Sequence, residues 1–379
     1  MFSKRGAFDL TPNAIARAIE VTPPDWDLTS SNPTNVGLAF RDGDLDSLRV
    51  PSLTRYDPHP RGLESARRAL GEQLDWNPDQ IVLTATTSDA YSFLMKLFCD
   101  PGDQVLIPEP SYPLLPILAR LEGAVASPYR LAYDGEWHID RLSLLERLGP
   151  RVKMIVAVSP NNPTGAFLSA DDLAFLMSHG VPVVLDEVFA SYDHRCKQPS
   201  ALQHSEARSG LLFALGGLSK AGAFPQLKLS WMAVSGEANL VDRALAQLDL
   251  ITDTYLSVND LTQHALPSLL NASEERRSLV FERVRQNRQR LDQLLRDGPE
   301  ISALSVQGGW YQVLRLPRVK SEAEWVLGFL ERGVLVQPGW FYDFPDEAWV
   351  VVSLLTPPQA FSEGLQRIVQ SVVAANGVH

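Results

Sequence analysis

Two cysteines in 379 residues, Cys99 and Cys196, stand far apart and form neither a CxxC pair nor a cluster with histidine. That argues against a disulfide framework and against a structural zinc site, and leaves both thiols as buried or idle groups. No apolar run approaches the ~18 residues of a membrane span. The opening Met1-Phe2-Ser3-Lys4-Arg5-Gly6 has no apolar stretch behind its two cations, so a cytoplasmic location is expected. A concentrated basic surface is also missing. With a net charge of −11 and no basic segment, the chain lacks what nucleic-acid phosphates require, and a small molecule is the expected partner. No GxGxxG follows a strand-like run, which speaks against a nicotinamide-binding domain. Between Arg332 and Arg367 there is no Lys, Arg or His at all.

What is present points to an α/β enzyme. The length accommodates one large domain of roughly 200–250 residues and a smaller partner. After an N-terminal arm (1–40) with a helix over Asn13–Glu20, helical and strand-like spacing alternate. Helix Gly62–Gln73 is followed by strand Gln80–Thr84, helix Asp89–Phe98, strand Val105–Ile107 and helix Pro113–Leu121. The alternation continues through a helix at Asp171–Met177, and predicts a mostly parallel sheet covered by helices in a large domain over 41–275. A long helical region, Ser273–Arg296, leads to a smaller α+β domain over 276–379. That domain has strands Tyr311–Leu316 and Trp349–Leu354 and helices Glu322–Arg332 and Gln359–Ala374.

Three apolar runs, Val152–Val158, Val181–Leu185 and Leu211–Leu218, each empty into a polar residue: Asn162, Asp186 and Lys220 respectively. Ligands in open parallel sheets bind beyond the carboxyl ends of the strands, so these side chains are expected to converge. Lys220, buried and beside another cation, would lose its proton easily and serve as a nucleophilic amine or proton shuttle. Asp186 offers a carboxylate to a cationic partner at the same strand ends, although a lone aspartate there also suits a helix cap. Thr86-Thr87-Ser88, between a strand and a helix, offers backbone N–H groups, hydroxyls and a positive helix end to an anion.

Ser159-Pro-Asn-Asn-Pro-Thr-Gly165, Val184-Leu-Asp-Glu-Val188 and Leu218-Ser-Lys220, in this order and spacing, resemble the fold-type I pyridoxal-phosphate enzymes of the class I/II aminotransferase family. The resemblance covers nearly the whole chain and implies pyridoxal 5′-phosphate as cofactor. It assigns the cofactor's covalent anchor to Lys220, the partner of its pyridine nitrogen to Asp186 and the donor to its phenolic oxygen to Asn162. It adds Ser219 to the cofactor contacts, implies an aromatic stack by Tyr112, and implies a phosphate contact by Tyr56 across a homodimer interface. Transfer of an amino group between a donor and a carbonyl acceptor is the implied reaction. The alternatives are another reaction on the same scaffold (elimination, decarboxylation or oxidation) or a non-catalytic binding protein.

Four positions depart from the family pattern. Lys228 stands where an arginine usually clamps the phosphate, keeping charge but losing bidentate geometry. Gly217 replaces a serine that often contacts the same group. Phe189 replaces a tyrosine that would help Asn162, with Tyr192 a conceivable substitute. Val351 replaces the arginine that normally grips the substrate carboxylate; because a buried carboxylate needs a cation or several donors, either another group supplies the charge, with Arg315 as a candidate, or the substrate lacks a carboxylate there.

Overall fold

A computed structural model describes residues 2–38, 43, 45–49, 57–195, 210–296, 300–345 and 348–376. Helix α1 (Ala14–Val21), capped by the Asn13 side chain, precedes the short strand β1 (Trp26–Asp27). The large domain follows as α2 (Glu64–Leu74), β2 (Ile81–Thr84), α3 (Thr87–Phe98), β3 (Gln104–Glu109), α4 (Leu115–Glu122), β4 (Val125–Tyr133), β5 (Trp137–Ile139) and α5 (Arg141–Arg147). It continues with β6 (Val152–Val158), α6 (Ala170–Met177), β7 (Val183–Asp186), β8 (Leu211–Gly217), α7 (Leu218–Ala221), β9 (Ser230–Gly236) and α8 (Ala238–Tyr255). Eight strands form one sheet in the order β2-β9-β8-β7-β6-β3-β4-β5. Only β9 and β5 run against the rest, as their antiparallel pairings show. The mostly parallel sheet expected from the alternation is present.

Side-chain alternation explains why the central strands read as continuous apolar runs. Phe213 and Leu215 of β8 and Met232 and Val234 of β9 pack on the face covered by α3, α4 and α8. Ala214, Trp231 and Ala233 pack on the opposite face against α2 and the next helix, α9 (Asp260–Leu295). With both faces buried, no position in these strands needs to be polar until the sheet ends. The strands then release Asp186 and the Gly217–Lys220 segment at one edge.

Helix α9 begins thirteen residues earlier than its charge pairs suggest, at the Asn259 cap, whose side chain accepts the Thr262 amide at 2.8 Å. Pro267 lies inside it, costing one backbone donor, but Ala265, Leu266 and Leu269 are buried around it and hold the helix together. The helix runs unbroken past residue 275 into the second sheet's layer. That sheet has the order β10-β11-β14-β13 and comprises β10 (Ser302–Ala303), β11 (Tyr311–Arg315), β13 (Gln337–Pro338) and β14 (Trp349–Ser353). Between β11 and β13 lie α10 (Glu322–Leu330) and β12 (Val334–Leu335), and α11 (Pro358–Asn376) closes the chain. The N-terminal arm joins this unit: β1 pairs in parallel with β12, and Leu28 is wholly buried in its core. Among the described residues no helix is long and apolar enough to cross a membrane.

One close approach ties the two units at the site. Gly165, at φ +69°, ends the turn after β6, and the amides of Gln307 and Gly308 donate to its carbonyl at 3.2 and 3.0 Å. A Cβ at Gly165 would stand 2.5 Å from the Gly308 carbonyl oxygen. Gly165→Ala is therefore expected to combine left-handed backbone strain with a backbone clash. Gly102→Ala, at φ +91° with open space around it, carries the strain alone. Denaturant unfolding should show Gly165→Ala costing about 1–3 kcal/mol more than Gly102→Ala. Equal costs would mean that the contact with Gly308 does not hold the turn.

Candidate active site

Asp186 ends β7 and is buried among the strand termini. The Tyr91 hydroxyl donates to its Oδ2 at 2.9 Å and the Val188 amide to its Oδ1 at 3.0 Å. Burial pushes its carboxyl above the usual range, and these two donors together with the charge of Lys220 work against that shift. The carboxylate is thus boxed in by donors at a place where a positive partner would stabilise it further. Tyr91, on the second turn of α3, was not among the residues expected from the sequence. An aromatic on the buried side of a helix carries no local sign that its hydroxyl reaches a strand end ninety-five residues away.

Lys220 follows β8 in the single turn of α7. It keeps some surface toward the cavity, yet desolvation lowers its amine to about 8, with the nearby Lys228 charge pulling the same way and Asp186 opposing. Its Nζ lies 4.9 Å from the Trp310 ring centre and 5.4 Å from that of Phe189. These aromatic faces attract the ammonium form without donating or accepting a proton.

The turn Asn161–Gly165 separates two neighbouring asparagines by role. Asn161 accepts from both the amide and the hydroxyl of Thr164 and so builds the turn. Asn162 points into the cavity, where its Oδ1 is buried with no hydrogen-bond partner among the described residues. The turn-asparagine role that the sequence allowed for Asn162 belongs to Asn161.

These groups line a cavity of about 210 Å³ together with Ser31, Thr87, Tyr91, Ser111, Tyr112, Val158, Phe189 and Tyr311. A second cleft of about 190 Å³, between Pro58–Gly62 and the α8–α9 corner, is lined by neither lysine nor arginine. Tyr112 is half exposed at the first cavity's wall, edge-on to Phe341. Thr86 caps α3, accepting the Asp89 amide at 3.0 Å, while the hydroxyls of Thr87 and Ser88 in the first turn have no partner among the described residues. Ser219 stands in α7 beside Lys220. Lys228 is exposed, in left-handed backbone at φ +49°, two residues before β9. Tyr56 lies outside the described residues.

The departures resolve in part. Phe189 is buried and apolar, as expected. Tyr192 does not replace the missing hydroxyl, because its OH donates to the Lys220 backbone carbonyl at 2.8 Å. Tyr311 brings a phenol to the cavity instead: Ser31 and Asn162 both hydrogen bond to its hydroxyl, and burial pushes it up to about 12. Its place in the Gly308-Gly309-Trp-Tyr segment was the only sequence sign. Val351 is buried in the middle of β14 between Val313 and Gln337 and does not reach the cavity. Arg315 is no substitute. It is exposed, four strand residues or about 13 Å beyond Tyr311, and lies over the Trp349 ring at 5.9 Å. Lys220 is the one cation lining the cavity among the described residues.

The donor set suits pyridoxal 5′-phosphate. Lys220 would anchor its aldehyde, Asp186 would pair with a protonated ring nitrogen, the Asn162 side-chain N–H would donate to a phenolic oxygen, and the α3 N-terminus with the hydroxyls of Thr87 and Ser88 would hold the phosphate. Comparison with known proteins agrees. A sequence profile described as aminotransferase class I and II matches residues 30–368. The glutamate-pyruvate aminotransferase AlaA of Haemophilus influenzae is 27% identical over 350 residues, covering 86% of this chain and 85% of that protein. Histidinol-phosphate aminotransferase 1 of Mesorhizobium japonicum is 29% identical over 310 residues, covering 81% and 80%. The structure of alanine aminotransferase from Pyrococcus furiosus superimposes with a TM-score of 0.85 at 22% identity, over 99% of this chain and 100% of that one. With the profile spanning most of its length, the chain belongs to the aminotransferase class I and II family and is a pyridoxal-phosphate-dependent aminotransferase.

Proposed function

We propose that Lys220, Asp186 and Asn162 are the working residues of an amino transfer from an amino acid to a 2-keto acid. The carrying observation is that an amine lowered to about 8 and a buried, donor-supported carboxylate open into one cavity from adjacent strand ends. Pyridoxal phosphate, when bound, supplies an electron sink that makes the donor's α-hydrogen acidic.

Lys220 then holds and moves the proton. Near neutral pH an amine with a value of about 8 is mostly charged but gives up its proton easily, which suits a group that must both take and return one. Asp186 accepts from Tyr91 and Val188, donors that favour its charged form against the burial that raises its carboxyl. Asn162 and Tyr311 would offer polar atoms to a ring oxygen, and Phe189, Val158, Leu114 and Leu115 would exclude water. Thr87, Ser88 and the N-terminus of α3 would hold the phosphate, with Lys228 adding charge from the surface, and Tyr112 would cover the ring. Tyr56 from a second copy would complete the seat in a homodimer, a reading supported by its match to the family motif. The relatives named for glutamate-pyruvate and alanine transfer support small amino acids and keto acids as substrates. With no arginine in the described cavity wall, a donor carboxylate would depend on Ser31, Asn162 and Tyr311.

Incubation of the holoenzyme with amino acids and isotopically labelled keto acids should yield the complementary labelled amino acid. Lys220→Ala should lower kcat/KM by roughly 10²–10⁴-fold. Release of ammonia or carbon dioxide with no labelled amino acid would overturn the transfer reading.

The pH dependence of the apoenzyme's stability has a definite sign. The folded amine of Lys220 releases its proton near 8, whereas an unfolded lysine holds its own to about 10.5. Between those values the unfolded chain binds more protons, so stability rises with pH. Relative to Lys220→Met, the wild-type apoenzyme should gain up to roughly 3 kcal/mol as pH rises from 8 to 10.5. A flat difference across that window would show that Lys220 is not desolvated.

A further inference from the structure

The hydroxyl of Ser230 is uncommitted at a place where few groups in this fold are. Ser230 opens β9 and is 3% exposed, and its Oγ has no hydrogen-bond partner among the described residues. In the sheet it is paired with Thr84, the last residue of β2, on one side and with Gly217, the last residue of β8, on the other. Because β9 runs against both neighbours, all three residues lie at the edge where the site is built.

Their faces agree as well. Val82, Leu215 and Met232, each two residues from Thr84, Gly217 and Ser230, belong to the core packed under α3. By strand alternation Ser230 is on that same face, below the N-terminus of α3 and between the segments that carry Thr86–Thr87 and Ser219–Lys220. The hydroxyl of Thr84 is spent on the Thr86 carbonyl at 2.9 Å, and that of Thr86 on capping α3. The free hydroxyls around this helix end are therefore those of Thr87, Ser88 and Ser230.

Gly217 supplies the decisive geometry. A Cβ built on Gly217 would come within 2.4 Å of Ser230 Oγ. The Ser230 hydroxyl thus occupies the volume that a side chain at 217 would fill, and the two side chains cannot coexist without one moving.

We propose that Ser230 is a phosphate-binding residue of this enzyme, delivering from β9 the hydroxyl that position 217 lacks. The proposal rests on the reading of the α3 N-terminus as the seat of the cofactor phosphate. It links two sequence features, a glycine before Lys220 and a serine ten residues after it, as one exchange of side chains between neighbouring strands.

The test compares apoenzyme affinity for pyridoxal 5′-phosphate with that for pyridoxal, which lacks the phosphate, in wild type and variants of unchanged circular dichroism. Ser230→Ala should weaken pyridoxal 5′-phosphate about tenfold or more, as loss of a hydrogen bond to a charged group does, while leaving pyridoxal affinity unchanged. The ³¹P resonance of the bound cofactor should shift. Gly217→Ser alone should also weaken binding of the phosphorylated form, and Gly217→Ser combined with Ser230→Gly should recover most of the wild-type affinity. Equal weakening of both vitamers by Ser230→Ala, or no weakening of either, would overturn the role of Ser230. Failure of the wild-type protein itself to prefer the phosphorylated form would instead overturn the phosphate seat.

Discussion

A buried carboxylate beside a desolvated amine is costly, and most of the site is arranged around that cost. Removing Asp186 from water favours its neutral form, and only the Tyr91 hydroxyl, the Val188 amide and the Lys220 charge resist. Lys220, pulled out of water in turn, is held in its charged form mainly by the same carboxylate. Each group is therefore poised by the other. On the proposed reading, the arrangement would suit a cofactor that offers a cationic ring nitrogen to one and an electrophilic carbon to the other.

The sheet makes that juxtaposition possible. Parallel strands bury both faces, so polar side chains are admitted only at the ends: β7 ends at Asp186, opposite Leu215 of β8, and β8 leads through Gly217 into the turn of α7 that carries Lys220. The second unit completes the cavity from across the Gly165–Gly308 contact with Tyr311, while Trp310 lies over the amine. The cavity's walls thus come from separate layers, locked at one glycine pair where neither backbone has room for a side chain.

The family departures change the site's balance in one direction, from fixed charge toward hydroxyls and aromatics. Phe189 and Val351 withdraw a phenol and a cation, Tyr311 returns a phenol from another strand, and Arg315 stays outside. On the proposed reading, a cavity whose single described cation is Lys220 would discriminate among substrates by shape and neutral donors more than by charge pairing.

The sequence by itself determined the class of fold and the order of its central strands' polar termini, and it singled out Lys220, Asp186 and Asn162, which the structure brings to one cavity. All of these follow from runs of buried residues and from short motifs read along the chain. It also showed which positions break the family pattern. Tertiary structure alone decided what replaces them. Tyr91 supports Asp186, Tyr192 is diverted to a backbone carbonyl, Tyr311 enters the cavity and Arg315 does not, and Asn161 rather than Asn162 makes the turn. None of these leaves a periodic or local mark. Each depends on which face of a strand or helix meets which neighbour, and that is settled only when elements far apart in the chain pack together.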